Sequence, residues 1–220
     1  MTSYIESDIQ EVVDRLGEDA KAFAGRTILL SGGAGFLGRY FTAVLSALND
    51  RMLSKPCRII VCDNLITSGT INETWPKAVR FLQHDVITPL QLDEPVDYVI
   101  HAAGIASPYY YRKYPLETLE VATLGTKQML HYGVARKLKG FLFFSSSEIY
   151  GDPDPRHVPT QESYRGNVSS LGPRACYDES KRLGETLCLI FHEVHGVPTK
   201  IVRPFNVYGP GMQEKDYRVL

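Results

Sequence analysis

The sequence predicts a doubly wound α/β fold, a parallel sheet covered by helices on both faces. Three observations carry this. Short, nearly unbroken apolar runs alternate with longer segments of helical period, the pattern of strands buried on both sides. The first run leads through a glycine-rich turn directly into a helix. Asp63, Asp85, Ala102, Ser146 and Asn206 each follow the end of an apolar run, where a sheet of this Rossmann type keeps its ligand crevice.

The elements follow in order. Residues 1–24 form a separate acidic piece. Ile5, Ile9, Val12, Val13, Leu16 and Phe23 fall at helical spacing with acids between them, so an amphipathic helix packing on the main domain is expected. Residues 25–220 are expected to form the dinucleotide-binding domain with the beginnings of a second, substrate-binding lobe. Its strands are predicted at Thr27–Leu30, Cys57–Asp63, Val79–Gln83, Asp97–Ile100, Gly140–Phe144 and Lys200–Arg203. Helices are predicted over Arg39–Leu48, from Leu116 to Lys137 as one long element, and from about Arg174 to His195. A loop rich in Pro and Gly separates the fifth strand from the last helix.

Composition narrows the function. The 220 residues are 44% hydrophobic and 22% charged with a net charge of −1, an ordinary globular balance without the basic excess of a nucleic-acid or anionic-membrane binder. Cys57, Cys62, Cys176 and Cys188 show no paired spacing, as expected of reduced thiols in a cytoplasmic protein. Neither a leader-like segment nor an apolar run near membrane-spanning length is present, so a membrane association is not expected. The six histidines show no metal-ligand spacing, and no metal is expected.

The turn Ser31-Gly32-Gly33-Ala34-Gly35-Phe36-Leu37-Gly38 offers two registers, Gly33-x-Gly35-x-x-Gly38 and Gly32-x-x-Gly35-x-x-Gly38. Between a strand and a helix, such glycines let a pyrophosphate approach the backbone and the helix N-terminus. Asp63 stands 25 residues beyond Gly38, near the spacing of the acid that binds a ribose 2′-hydroxyl and repels a 2′-phosphate. NAD is therefore expected over NADP. Asp85 suits either an adenine contact or a turn. Tyr177 and Lys181, four apart on a helix, share one face. An ammonium beside the phenol favours its ionised form, which suits a general base for an alcohol proton. Arg174 offers a bidentate fork to a carboxylate or phosphate, or a surface ion pair.

Together these residues resemble the extended short-chain dehydrogenase/reductase family of NAD-dependent nucleotide-sugar epimerases, dehydratases and decarboxylases. The resemblance covers about Arg26 to Leu220. Ser147-Glu148-Ile149-Tyr150-Gly151-Asp152-Pro153, Gly172-Pro173-Arg174-Ala175-Cys176-Tyr177-Asp178-Glu179-Ser180-Lys181-Arg182 and Asn206-Val207-Tyr208-Gly209-Pro210-Gly211-Met212 look most like the branch that decarboxylates UDP-glucuronate. The resemblance implies Tyr177, Lys181, Ser146, Ser147 and Glu148 as catalytic residues. In it Ser146 meets the reacting C4 oxygen, while Ser147 and a buried, proton-retaining Glu148 serve decarboxylation and reprotonation. It implies a cofactor site of Gly32, Gly35, Phe36, Leu37, Gly38, Asp63, Asn64, Asp85, Val86, Ala102, Ala103, Thr123 and Pro204 with Tyr177 and Lys181. Arg174, Asn206, Glu162 and Tyr164 are the implied substrate contacts. A homodimer through the helices at 116–137 and 174–195 is implied as well.

The chain departs from the pattern at Ala122, where the family commonly has Asn. Relatives also usually continue for another lobe that this sequence does not supply. The favoured activity is decarboxylation of a UDP-hexuronate to a UDP-pentose through a 4-keto intermediate. A 4-epimerase would usually lack Glu148, and a 4,6-dehydratase would more often show Asp-Glu where Ser147-Glu148 stands. A catalytically idle NAD-binding module is the remaining alternative.

Overall fold

The computed structural model describes residues 3–69 and 75–212. Helix α1 (Ser3–Leu16) and a 3-10 turn (Gly17–Phe23) precede strand β1 (Thr27–Ser31) and helix α2 (Phe36–Arg51). Strands β2 (Arg58–Asp63), β3 (Val79–Gln83) and β4 (Tyr98–His101) follow, then the short helices α3 (Pro108–Lys113) and α4 (Pro115–Glu120). A π-helical turn (Val121–Gly125) joins α4 to α5 (Thr126–Arg136), and β5 (Gly140–Phe144), α6 (Ala175–His195) and β6 (Thr199–Val202) follow.

Among the described residues all five strand pairings are parallel, and the spatial order is β3-β2-β1-β4-β5-β6. The order reverses between β1 and β4, which opens a crevice at their carboxyl ends. Alternation along each strand builds two cores. Ile28 and Leu30 face Val44, Leu45 and Leu48 of α2 together with Ile9 and Val13 of α1. Leu29, Phe141 and Phe143 face Met129 and Leu130 of α5 and Cys188 and Phe191 of α6. Both faces of β1 are thus covered, which is why its five residues are all buried.

The long helix expected over 116–137 is interrupted by a wider turn. Thr123 and Thr126 each donate a hydroxyl proton to the carbonyl four residues back, Leu119 and Ala122, and side-chain bonds of this kind bend helices. The turn packs against α6. A Cβ on Gly184 would lie 3.1 Å from the Ala122 carbonyl and 2.4 Å from the Phe143 ring. Only glycine lets α6 sit this near both β5 and the π turn. Among the described residues no helix is long and apolar enough to cross a membrane, and no three His, Cys, Asp or Glu side chains converge as metal ligands.

Candidate active site

The glycine turn forms the floor of a crevice at the carboxyl ends of β1, β2 and β4. Gly32 has φ +73 and donates its N–H to the Cys62 carbonyl at 2.8 Å. A Cβ there would stand 2.6 Å from the Ala103 amide nitrogen, so the backbone is packed on backbone and leaves the space above it open. Gly35 precedes the first turn of α2 without any side-chain cap, and the unpaired amides of that turn suit phosphate oxygens.

Asp63 ends β2 with both carboxylate oxygens engaged. The amides of Ala34 and Leu65 donate to them at 3.0 and 2.8 Å, and the Ser68 hydroxyl reaches one at 3.4 Å. Burial raises this carboxyl above its ordinary range, opposed by those donors and by Arg39. Asn64 donates to Asp85 at 2.9 Å, and Asp85 accepts from the Ile87 amide as a turn residue while also lining the crevice. The turn expected of Asp85 is thus present, and its place in the crevice leaves it open to a ligand. Gly32, Gly35, Phe36, Leu37, Gly38, Val86, Ala102 and Ala103 line the same space.

A second cavity continues from the first, sharing Leu37, Ala102, Gly104, Ala106 and Phe144 with it. Its walls are Ser145, Ser146, Glu148, Arg174, Tyr177, Lys181, Pro204 and Asn206, with Tyr111. Tyr177, Lys181, Gly184, Cys188 and Phe191 form the buried stripe of α6, so the spacing that packs the helix also presents the phenol and the amine. The Lys181 Nζ donates to the Phe144 carbonyl at 2.7 Å and lies 5.8 Å from the Tyr177 ring centre. Burial lowers its ammonium to about 8. Tyr177 stacks on Tyr111 with centroids 5.7 Å apart, which fixes the ring plane.

Beneath the site, His101 is fully buried. Its Nδ1 lies 2.6 Å from the Ser31 hydroxyl and its Nε2 3.1 Å from that of Thr126. Thr126 already donates to Ala122, so the network assigns the ring proton to Nε2. Burial, and then the charge of Lys181, push this imidazole down to about 3. It is a neutral strut.

The structure moves several expected residues. Glu148 is not buried. Its side chain is 31% exposed and forms an ion pair with Arg174. Arg174 lines the cavity and makes that ion pair at once, so the two roles expected of it coincide. Ser147 lines neither cavity, and its amide donates to the Pro204 carbonyl at 3.0 Å. Thr123 turns into its own helix and lines neither cavity, whereas Glu120 and Val121 beside it do. Glu162 and Tyr164 also lie outside both cavities. Tyr164 accepts from the Asp154 amide, and the Glu162 carbonyl accepts from Arg203.

Sequence reasoning missed Ser145 and Ser107. Each is buried and lines a cavity, and neither hydroxyl has a partner. It missed Tyr111 too. The run Ser107-Pro108-Tyr109-Tyr110-Tyr111 directly after the fourth strand was the available signal.

The glycine floor, the acid at the end of β2 and the unpaired hydroxyls fit NAD. A family model described as "NAD dependent epimerase/dehydratase family" matches residues 28–220. The chain belongs to that family. UDP-glucuronic acid decarboxylase 5 of Arabidopsis thaliana is 41% identical over 197 residues, 88% of this chain and 54% of that protein. UDP-glucuronic acid decarboxylase 1 of Xenopus tropicalis is 39% identical over 199 residues, 89% of this chain and 44% of that protein. The chain spans about half the length of these curated relatives. Among solved structures, an epimerase from Methanothermobacter thermautotrophicus superposes with a TM-score of 0.73 at 27% identity, covering 88% of this chain and 55% of that one. The cofactor of this family is NAD, and Gly32 and Asp63 line the first cavity while Lys181 lines the second.

Proposed function

We propose that this chain carries the cofactor-binding and catalytic portion of an enzyme that decarboxylates UDP-glucuronate to a UDP-pentose. The observation that carries the reading is Glu148 with Arg174 in the cavity that also holds Tyr177 and Lys181. The identity to UDP-glucuronic acid decarboxylases supports it.

Bound NAD supplies a hydride acceptor that later returns the hydride to the sugar. The chain's own residues do the rest. Tyr177 takes the proton of the C4 hydroxyl, and the Lys181 ammonium stabilises the phenolate. The Ser146 hydroxyl, held at the start of a 3-10 turn where it accepts from the Glu148 amide at 3.2 Å, donates to the C4 oxygen. A ketone at C4 is β to the uronate carboxylate, so carbon dioxide leaves with its electrons delocalised onto the ketone oxygen. Glu148, released from Arg174, takes up a proton from solvent and passes it to C5, and Tyr177 gives its proton back to the C4 oxygen as the hydride returns. Arg174 meets an anionic group of the substrate.

The test is incubation of the chain with UDP-glucuronate and NAD, followed by mass spectrometry. Carbon dioxide and a UDP-pentose are expected. A 4-epimerised sugar instead, which needs Ser146, Tyr177 and Lys181 but no Glu148, would replace this reading with an epimerase. Binding of NAD with no turnover of any UDP-sugar would leave the idle cofactor module.

We also propose a homodimer. Leu116, Leu124, Leu183, Leu189, Ile190 and Val194 expose large apolar side chains on α4, the π turn and α6, a face that pairing with a second copy would cover. Light scattering should give twice the 24.7 kDa chain mass. A monomer would reject the dimer.

A further inference from the structure

Arg174 stands between two carboxylates. On one side it pairs with Glu148, from the 3-10 turn after β5. On the other its Nε lies 3.7 Å from Asp178 Oδ2, one helical turn along α6. The Asp178 side chain is only 14% exposed, and its Oδ1 is buried without a partner. A buried carboxylate oxygen left unpaired is costly, and nothing in the proposed chemistry uses it. An arginine fork has more donors than Glu148 alone can accept. Asp178 is therefore a second place where the guanidinium can rest.

We propose that Asp178 is a positioning residue that shares Arg174 with Glu148, so that Arg174 can leave Glu148 for an incoming anionic group without leaving the cavity. Without Asp178, the guanidinium has one local anion, Glu148, and masks it more fully. With Asp178, moving Arg174 exchanges one carboxylate for another and exposes the Glu148 oxygens. The role assigned to Glu148 as proton donor rests on the decarboxylase reading. The sharing of Arg174 does not.

Asp178 faces Arg174, Cys176 and Glu179 on its own helix, Glu148 from the turn after β5, and Tyr111 from α3. Burial raises its carboxyl to about 6, with Arg174 opposing and Glu148 and Glu179 adding. The sharing should accordingly be present above that pH and fade below it.

Carboxyl footprinting tests this without substrate. The intact chain is treated with a water-soluble carbodiimide and glycine ethyl ester, and modification of Glu148 is read by mass spectrometry. Arg174→Met should speed labelling of Glu148, because its mask is gone. Asp178→Asn should slow it about threefold relative to the unmodified chain, the size of a partly exposed ion pair, and Asp178→Glu should restore it. The contrast between the unmodified chain and Asp178→Asn should be clear at about pH 7.5 and vanish below about 6, as Asp178 takes up its proton. Unchanged Glu148 labelling in Asp178→Asn, with Arg174→Met raised, would overturn the proposal, as would an Arg174→Met chain no more reactive than the parent. A shift in melting temperature alone, with no change in labelling, would reduce Asp178 to a helix-end acid. Turnover of UDP-glucuronate is scored separately. Its absence would reject the decarboxylase reading and leave the footprint to decide Asp178.

Discussion

The two ends of the sheet treat polar groups in opposite ways. At the amino ends, Asp97 is fully engaged. It accepts from the Thr27 amide at 3.0 Å and pairs with Arg26 and Lys139 at 3.3 and 3.4 Å. Although burial works to raise it, those donors win and hold its carboxyl below the usual range. At the carboxyl ends the hydroxyls of Ser107 and Ser145 and one oxygen of Asp178 are buried without partners, and Lys181 is buried with a lowered pKa. One end is arranged to hold strands together. The other leaves hydroxyls unsatisfied on the rigid walls of the cavities.

Variants at each end should separate the two arrangements. The largest effect is expected at the carboxyl end. Tyr177→Phe should lower turnover by about 10²–10⁴ while NAD remains bound, measured by assaying product and by quantifying cofactor released on denaturation. Undiminished turnover would remove Tyr177 from the chemistry. Gly32→Ala should next abolish NAD retention, since the new Cβ meets the Ala103 amide and the backbone holds a positive φ; full retention would mean the turn is not the phosphate floor.

At the amino end, Asp97→Ala should lower unfolding free energy by about 1–3 kcal/mol, because the buried Thr27 N–H loses its acceptor. Denaturant melts would show it, with little change in NAD affinity. The contribution of Asp97 is present at neutral pH and is lost as pH falls through its depressed folded pKa. Ser145→Ala should do the reverse. Removing an unpaired buried hydroxyl should leave stability within about 1 kcal/mol of the parent or raise it, while weakening NAD or substrate binding. A destabilised Ser145→Ala with normal ligand affinity would erase the contrast between the two ends.

The smallest effect concerns Lys181. Between its folded value of about 8 and its ordinary 10.5, the unfolded chain binds more protons than the folded one. Stability of the ligand-free chain should therefore rise with pH across that window. Lys181→Met should lack this rise in melts taken across it. Parallel pH profiles would show that the lysine is not held in a desolvated site.

Local pattern determined much of this protein. Apolar runs such as Thr27–Leu30 specify buried strands because a sheet covered on both faces admits little else. The glycine turn and Asp63 are legible as a dinucleotide signature because strand, turn and helix are adjacent in sequence. Tyr177 and Lys181 are legible because helical geometry alone puts residues four apart on one face. What only the tertiary structure decided depends on segments distant in sequence. Ser145 and Ser146 line the cavity and Ser147 does not, because the backbone leaves β5 through bonds to Val202 and Pro204 beside it. Glu162 and Tyr164 fall outside because the loop is drawn onto Arg203 and Asp154. The wide turn at Val121–Gly125 lies against α6, close to Gly184. Arg174 and Glu148, 26 residues apart, meet only once α6 and β5 are packed. Periodicity reports which face of an element is buried, but not which neighbour will cover it. The partners of the site residues are set by that packing.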